Sequence, residues 1–444
     1  MKILILGSND VAYTLAQVLS KMDHAITVVD NKVDQIKHID RELDVKGIIG
    51  YPTYPFVLDK ADCATTDILI AVLDQDEANM VACQIAHSLF NVPLKIARIK
   101  NHHYLNQKKL YGNQDLPIDV FISPEIVLSK QITSLINFPG VEEIRFFDSA
   151  YIILIKITPT SAWVGQTARA LEQAHQCIIS HTFSNEKWQQ ITPKYKVNIG
   201  DEILLSAKRG NISKILASAG IDSPNIKHIM IGGLGHNGTN LIRSIQHEYN
   251  IKAIEKDIHQ CKRSASEFDD LTILHGKISD RQLLEEEGIS RVDFYCALTD
   301  DESENILSSL IAKKSGCKKV LCLLKNTSYS DCISDHVDHI LLSKIAVINA
   351  ILTEIHKGRS IDAVKSIRGG EITLFKMKIT EHFKYLNKPI KSIPFPNTTN
   401  LLGIIRKEDF YTDKDLIVSQ DDFMIFSTIQ IIDIQNMDNL FKFA

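Results

Sequence analysis

The chain has no apolar run long enough to cross a membrane. Stretches such as Tyr151–Ile155 meet a charge within a few residues, far short of the roughly 18 apolar residues that a spanning helix needs. No export signal is expected. Ile3–Leu6 is apolar, but Gly7, Ser8, Asn9 and Asp10 follow at once, and the apolar region of a signal peptide runs roughly 7–15 residues. Cysteine is sparse, 8 in 444 residues, and no CxxC pair occurs; Cys322 and Cys332 stand ten apart. That argues against a zinc knuckle and for reduced thiols of a cytosolic protein. An excess of charge is missing too. The formal net charge is −4, so neither nucleic acid nor anionic lipid is an expected partner. Any membrane role is then expected to come through a partner protein, without direct insertion.

What is present is the composition of a globular protein, 44% hydrophobic and 23% charged, in a length that suits two to four domains. One plan is written twice. Lys2–Leu6 runs into Gly7-Ser8-Asn9-Asp10-Val11-Ala12, and Lys227–Ile231 runs into Gly233-Leu234-Gly235-His236-Asn237-Gly238. Second strands at Ile26–Val29 and Lys252–Ile254 close on Asp30 and Glu255. Third strands end at Ile49-Gly50 and His275-Gly276, and fourth strands are Ile68–Ala71 and Phe294–Ala297. The first glycine, the third strand and the pair Asn79 and Asn305 are each 226 positions apart. Short apolar strands alternating with helices predict an α/β fold: two tandem Rossmann-like, doubly wound parallel sheets. Each is followed by a small α+β unit, with strands expected at Tyr151–Ile157, Cys177–Ser180 and Glu202–Ala207, then at Glu371–Ile379, Leu401–Ile405 and Phe423–Ile429. The expected divisions are residues 1–125, 140–225, 226–345 and 366–444.

Nucleotide binding on such a sheet takes a tight turn, a helix N-terminus aimed at the phosphates, and an acid at the end of the second strand for the ribose hydroxyls. The second half has all three: Gly233, Gly235 and Gly238, then Glu255, 22 residues after Gly233. The first half keeps Gly7 and Asp30, but Asn9 and Ala12 replace the other two glycines. Asn tolerates positive φ, so the turn can survive, although its side chain crowds a close phosphate. The first site is thus either a working site or a structural remnant. Acid at the strand end favours free ribose hydroxyls over a 2′-phosphate. Dinucleotide and mononucleotide are not separated. Arg98 either reaches a phosphate or forms a surface ion pair. Lys277 either faces the ligand or is simply solvated. His236 lies in the glycine loop, where exposure is expected. His102-His103 has no second cluster at ligand spacing, so no metal site is expected, and no catalytic residue is assigned.

With both loops and the small α+β units in view, the chain resembles the regulators of Trk-type potassium uptake, in which two RCK units are fused in tandem. The resemblance rests on Lys2–Gly7, Ile26–Asp30, Ala71–Pro93 and Ile96–Ile99. In the second half it rests on Gly233–Gly238, His275-Gly276, Leu284–Gly288 and Ala297–Asn305. It implies nucleotide contacts at Gly7, Ser8, Asn9, Asp10, Val11, Asp30, Leu73, Asp74 and Arg98. The second set is Gly233, Leu234, Gly235, His236, Asn237, Gly238, Glu255, Gly276, Thr299 and Asp300. It implies NAD/NADH, alternatively ATP/ADP, as ligand. It also implies a cytoplasmic regulatory subunit, peripheral on the cytoplasmic face of the inner membrane. The implied partners are a Trk-type potassium-translocating subunit and further copies of itself, as a dimer or ring. The chain departs from the family's pattern at Leu73, at Lys277, and at Gln420, which is read as standing where Gly200 does. The contrasting reading is an NAD-dependent oxidoreductase; against it, no acid–base constellation accompanies the glycine loops.

Overall fold

The computed structural model describes the chain except for residues 23, 106, 112–114, 185, 222, 326, 357–360, 414, 430–436, 438–439 and 442–444. The chain forms two compact units, one of Met1–Val127 with Lys344–Lys357 and one of Leu128–Ser343 with Gly358–Ala444.

The first unit is built on one parallel sheet of β1 (Lys2–Leu6), β2 (Ala25–Asp30), β3 (Lys46–Ile49), β4 (Ile68–Ala71), β5 (Leu94–Arg98) and β6 (Val120–Ile122). Their order is β3-β2-β1-β4-β5-β6. Helices cover both faces, which is why the central strands read as unbroken apolar runs rather than alternating ones. Leu4, Leu6 and Leu69 are fully buried, each contributing about 1.5–3 kcal/mol of burial. The strand order reverses between β1 and β4, and a ligand crevice is expected outside the strand ends there.

The second unit opens with an antiparallel sheet of β7 (Glu143–Phe147), β8 (Ala150–Lys156), β9 (Ile178–Ser184), β10 (Lys187–Gln190) and β11 (Glu202–Lys208). A second parallel sheet follows: β12 (His228–Gly232), β13 (Asn250–Glu255), β14 (Thr272–His275), β15 (Phe294–Ala297), β16 (Lys319–Leu324) and β17 (His339–Leu342). Its order, β14-β13-β12-β15-β16-β17, is that of the first. The last sheet holds β18 (Ile361–Ile367), β19 (Ile372–Lys378), β20 (Thr399–Arg406), β21 (Asp409–Tyr411) and β22 (Phe423–Thr428). Residue 366 lies within β18.

The two antiparallel sheets share one topology, β10-β9-β11-β8-β7 against β21-β20-β22-β19-β18. The duplication therefore includes the small units. Within the second unit these sheets share a core of Ile152, Leu154 and Leu204 with Leu374, Leu402 and Ile425. Arg145 Nε donates to the Ser366 carbonyl at 2.9 Å, and the Arg368 amide donates to Glu143 Oε1 at 2.9 Å.

One expected correspondence is corrected. Gly200 is matched by Asp421, not Gln420. The amide of Gly200 donates to Ile157 O and that of Asp421 to Ile379 O. Both occupy the left-handed region, at φ 83° and 65°, and Asp is one of the few side chains that visit it readily. The next residues, Asp201 and Asp422, each accept an amide from three positions back, Asn198 and Ser419, at 2.8 Å.

Candidate functional site

The second parallel sheet carries an open cleft of about 650 Å³ at its strand ends, lined in part by Gly233, Gly235, Glu255, Lys277, Thr299 and Asp300. Ligand pockets typically span roughly 300–1,000 Å³. Each glycine has its own reason. Gly233 sits at φ +100°, and a Cβ there would stand 3.1 Å from the Thr299 amide nitrogen. A Cβ on Gly238 would stand 2.0 Å from the Gly233 carbonyl oxygen, so the helix His236–Ile245 packs against the turn only without a side chain. Gly235 has open space around it and caps that helix with no side-chain hydrogen bond. The first-turn amides are thereby left for an anion, at the positive end of the helix dipole. Leu234 is buried, so its backbone rather than its side chain faces the loop. His236 is exposed and Asn237 half-buried.

Glu255 closes β13. Its carboxylate accepts from the Leu234 amide at 2.8 Å and the Asp257 amide at 2.9 Å, and it remains half-exposed. Gly276 follows β14, and a Cβ there would meet Leu283 at 2.6 Å. Thr299 donates its hydroxyl to Asn305 Oδ1 at 2.7 Å. Lys325, which the sequence reading passed over, lines the cleft and donates Nζ to the Asp300 carbonyl at 2.5 Å. Its mate is Lys100, whose Nζ donates to the Asp74 carbonyl at 3.3 Å. The available signal was a lysine just past the fifth strand in both halves, two residues after Arg98 and one after Leu324. Gln260 and Asp257 also line the cleft without having been anticipated.

The first loop is built differently. Gly7, at φ +120°, keeps its turn. Asn9 caps its own helix, Oδ1 accepting from the Ala12 amide at 3.2 Å, while Nδ2 donates to Val72 O at 2.7 Å. A first-turn amide that the second loop leaves free is therefore already engaged here. Ser8 donates to Asp30 Oδ2 twice, from its amide at 2.7 Å and its hydroxyl at 2.9 Å, and the Lys32 amide donates to Asp30 Oδ1 at 3.1 Å. Asp30 is only 5% exposed. Asp10 opens the helix and is exposed; Val11 is buried beneath it.

Asp74, Arg98 and Lys32 meet beside this loop. Arg98 Nη2 donates to the Leu73 carbonyl at 3.0 Å and lies 3.5 Å from Asp74 Oδ1; Lys32 Nζ lies 3.4 Å from Asp74 Oδ2. Arg98 is 8% exposed and its Nε has no hydrogen-bond partner. Burial pulls the guanidinium below its usual range, opposed by Asp74 and Glu125. Burial works to raise the Asp74 carboxyl, but Lys32, Asn9 and Arg98 outweigh it and hold the group below its ordinary value. Glu125 is pushed up to about 6 by burial. Among the described residues, no cluster of three His, Cys, Asp or Glu side chains is placed to hold a metal ion. No helix of the described residues is long and apolar enough to cross a membrane.

The geometry has close counterparts. Residues 3–124 and 229–343 match the TrkA-N domain family. The chain is 32% identical over 452 aligned positions to the Trk system potassium uptake protein TrkA of Halomonas elongata, with 100% of this chain and 99% of that protein covered. Among solved structures, the GsuK RCK domain superposes with a TM-score of 0.60 at 17% identity, over 99% of this chain and 94% of that one. The GsuK channel bound to NAD gives the same TM-score and identity, over 99% of this chain and 78% of that one.

Proposed function

The chain belongs to the TrkA family, and from that premise we propose that it is a nucleotide-binding regulatory subunit of potassium uptake, not an enzyme. The observation that carries this is the second cleft: a helix start with unengaged amides, a glycine turn that brings backbone close, and the half-exposed Glu255 carboxylate at the end of the second strand. These groups bind and orient an anionic nucleotide. NAD or NADH is the proposed ligand there, in keeping with the NAD-bound GsuK channel of the same fold, and ATP or ADP is the alternative. The contacts would come from the Gly233–Gly238 loop, Glu255, Gly276, Thr299 and Asp300, and from Gly7–Val11, Asp30, Leu73, Asp74 and Arg98 in the first half.

The partner would be a Trk-type potassium-translocating membrane subunit, met at the cytoplasmic face of the inner membrane by a dimer or ring of this chain. Regulation requires that the nucleotide bind two domain arrangements with different affinity, because a ligand indifferent to them shifts nothing. Co-purification with the translocating subunit, measured with and without nucleotide, tests this, together with potassium uptake after deletion of the chain. Uptake indifferent to the deletion overturns the reading. Dinucleotide-dependent turnover of a metabolite, followed by nicotinamide absorbance, would replace it with the oxidoreductase.

A further inference from the structure

Granted nucleotide binding, on which this step rests, we propose that Asp74 is a built-in anion that occupies the cations beside the first loop until the terminal phosphate of a nucleoside di- or triphosphate displaces it. Arg98 is almost completely buried, with Nε unpartnered. A buried guanidinium needs an anion, and Asp74 supplies one, but loosely. Its contacts with Asn9 Nδ2, Lys32 Nζ and Arg98 Nη2 are 3.3, 3.4 and 3.5 Å, longer than the roughly 2.7–2.9 Å of strong charge-assisted bonds. Asp74 is itself 63% exposed, so solvent competes for it. A terminal phosphate brings close to two negative charges and three acceptor oxygens, and the guanidinium fork can take it bidentately.

The second cleft, although Lys277 and Lys325 line it, lacks this arginine and lysine at the equivalent places. Lys32 and Asp257 occupy equivalent places, since the amide of each donates to the strand-end acid, at 3.1 and 2.9 Å. Arg98 and Leu323 are likewise equivalent, since the carbonyl of each accepts from the repeat's asparagine, at 2.9 and 3.0 Å. An aspartate and a leucine thus replace the two cations. A dinucleotide, whose phosphates are bridging and carry one charge each, suits that cleft. The two halves of one chain then differ in ligand class: terminal phosphates at the first, bridging phosphates at the second.

The test is calorimetric titration of the full chain with ADP, in a Glu255→Ala background so that the first site dominates the isotherm. Asp74→Asn keeps the side chain's shape and removes its charge at an exposed position. It should tighten ADP about 2- to 5-fold, the worth of an exposed ion pair no longer competing. Adding Arg98→Gln should erase the gain. An unchanged or weaker ADP affinity in Asp74→Asn, or a gain that survives Arg98→Gln, overturns the exchange while leaving nucleotide binding in place. If neither the parent chain nor Asp74→Asn binds ADP, ATP or NAD, the binding reading fails and the exchange fails with it.

Discussion

The side-chain amide of Asn79 donates to the Arg98 carbonyl at 2.9 Å, and Asn305 makes the same bond to the Leu323 carbonyl at 3.0 Å. Each asparagine also binds the turn after the fourth strand through both its oxygen and its nitrogen: Leu73 in the first half, Thr299 in the second. Both are essentially fully buried. They tie the fourth and fifth strand ends together on the ligand side of each sheet. Asn305→Ala removes four hydrogen bonds, three of them to backbone groups that are left stranded, so a loss of about 2–4 kcal/mol is expected. Thermal or denaturant unfolding measures it. A change below about 0.5 kcal/mol, the ordinary effect of a surface substitution, would show that the bonds do not hold the turn.

The two strand-end acids differ in availability. Asp30 is buried and held by Ser8 and Lys32, whereas Glu255 is half-exposed and, among the described residues, bound by two backbone amides. Glu255→Ala is therefore expected to weaken NAD binding by about tenfold, the scale of one charged hydrogen bond, and Asp30→Ala by less. Calorimetric titration of the two variants side by side is the check. Equal losses, or a larger loss at Asp30, would place the principal dinucleotide site in the first half.

Much of the architecture was legible because buried parallel strands leave an unmistakable trace. Ile68–Ala71 and Phe294–Ala297 are strands over the residues their apolar runs mark. The unanticipated strands lacked that trace. β10 is Lys-Trp-Gln-Gln at a sheet edge, and β21 is a three-residue edge strand. In β18 a register shift between Ile361 and Ala363 breaks the alternation, so its buried apolar residues, Ile361, Val364 and Ile367, fall three apart like a helical stripe. In the site, the glycine turns and strand-end acids could be read from spacing alone. Lys32 facing Asp74, and Lys325 reaching the Asp300 carbonyl, could not. They join residues 42 and 25 positions apart, and only the closing of the sheet brings them together. The replacement of Asn9 for glycine was visible, but its consequence was not. The side chain caps its own helix and so engages the amide that the second loop leaves free.

His181 gives the second unit a pH dependence of known sign. It is 1% exposed on β9, with Nε2 3.2 Å from Asn400 Nδ2 and Nδ1 3.4 Å from Ser427 Oγ. The Asn400 amide can only donate, so Nε2 accepts and the neutral ring carries its proton on Nδ1. Protonation would set donor against donor in a buried place, and burial accordingly pushes the imidazole down to about 4. The unfolded chain binds this proton near pH 6.5, so as pH falls below that value the unfolded state gains protons first. The contribution is fully present above about pH 6.5 and shrinks by about 1.4 kcal/mol per unit toward pH 4, reaching a loss of about 2 kcal/mol at pH 5. His181→Leu lowers stability at neutral pH by leaving Asn400 with only the Ser180 carbonyl as acceptor, but it removes this slope. The stability gap between parent and variant, measured by urea unfolding at pH 7.5 and pH 5, should therefore narrow by about 2 kcal/mol. Parallel profiles for the two proteins would mean that the imidazole stays accessible to protons in the folded state.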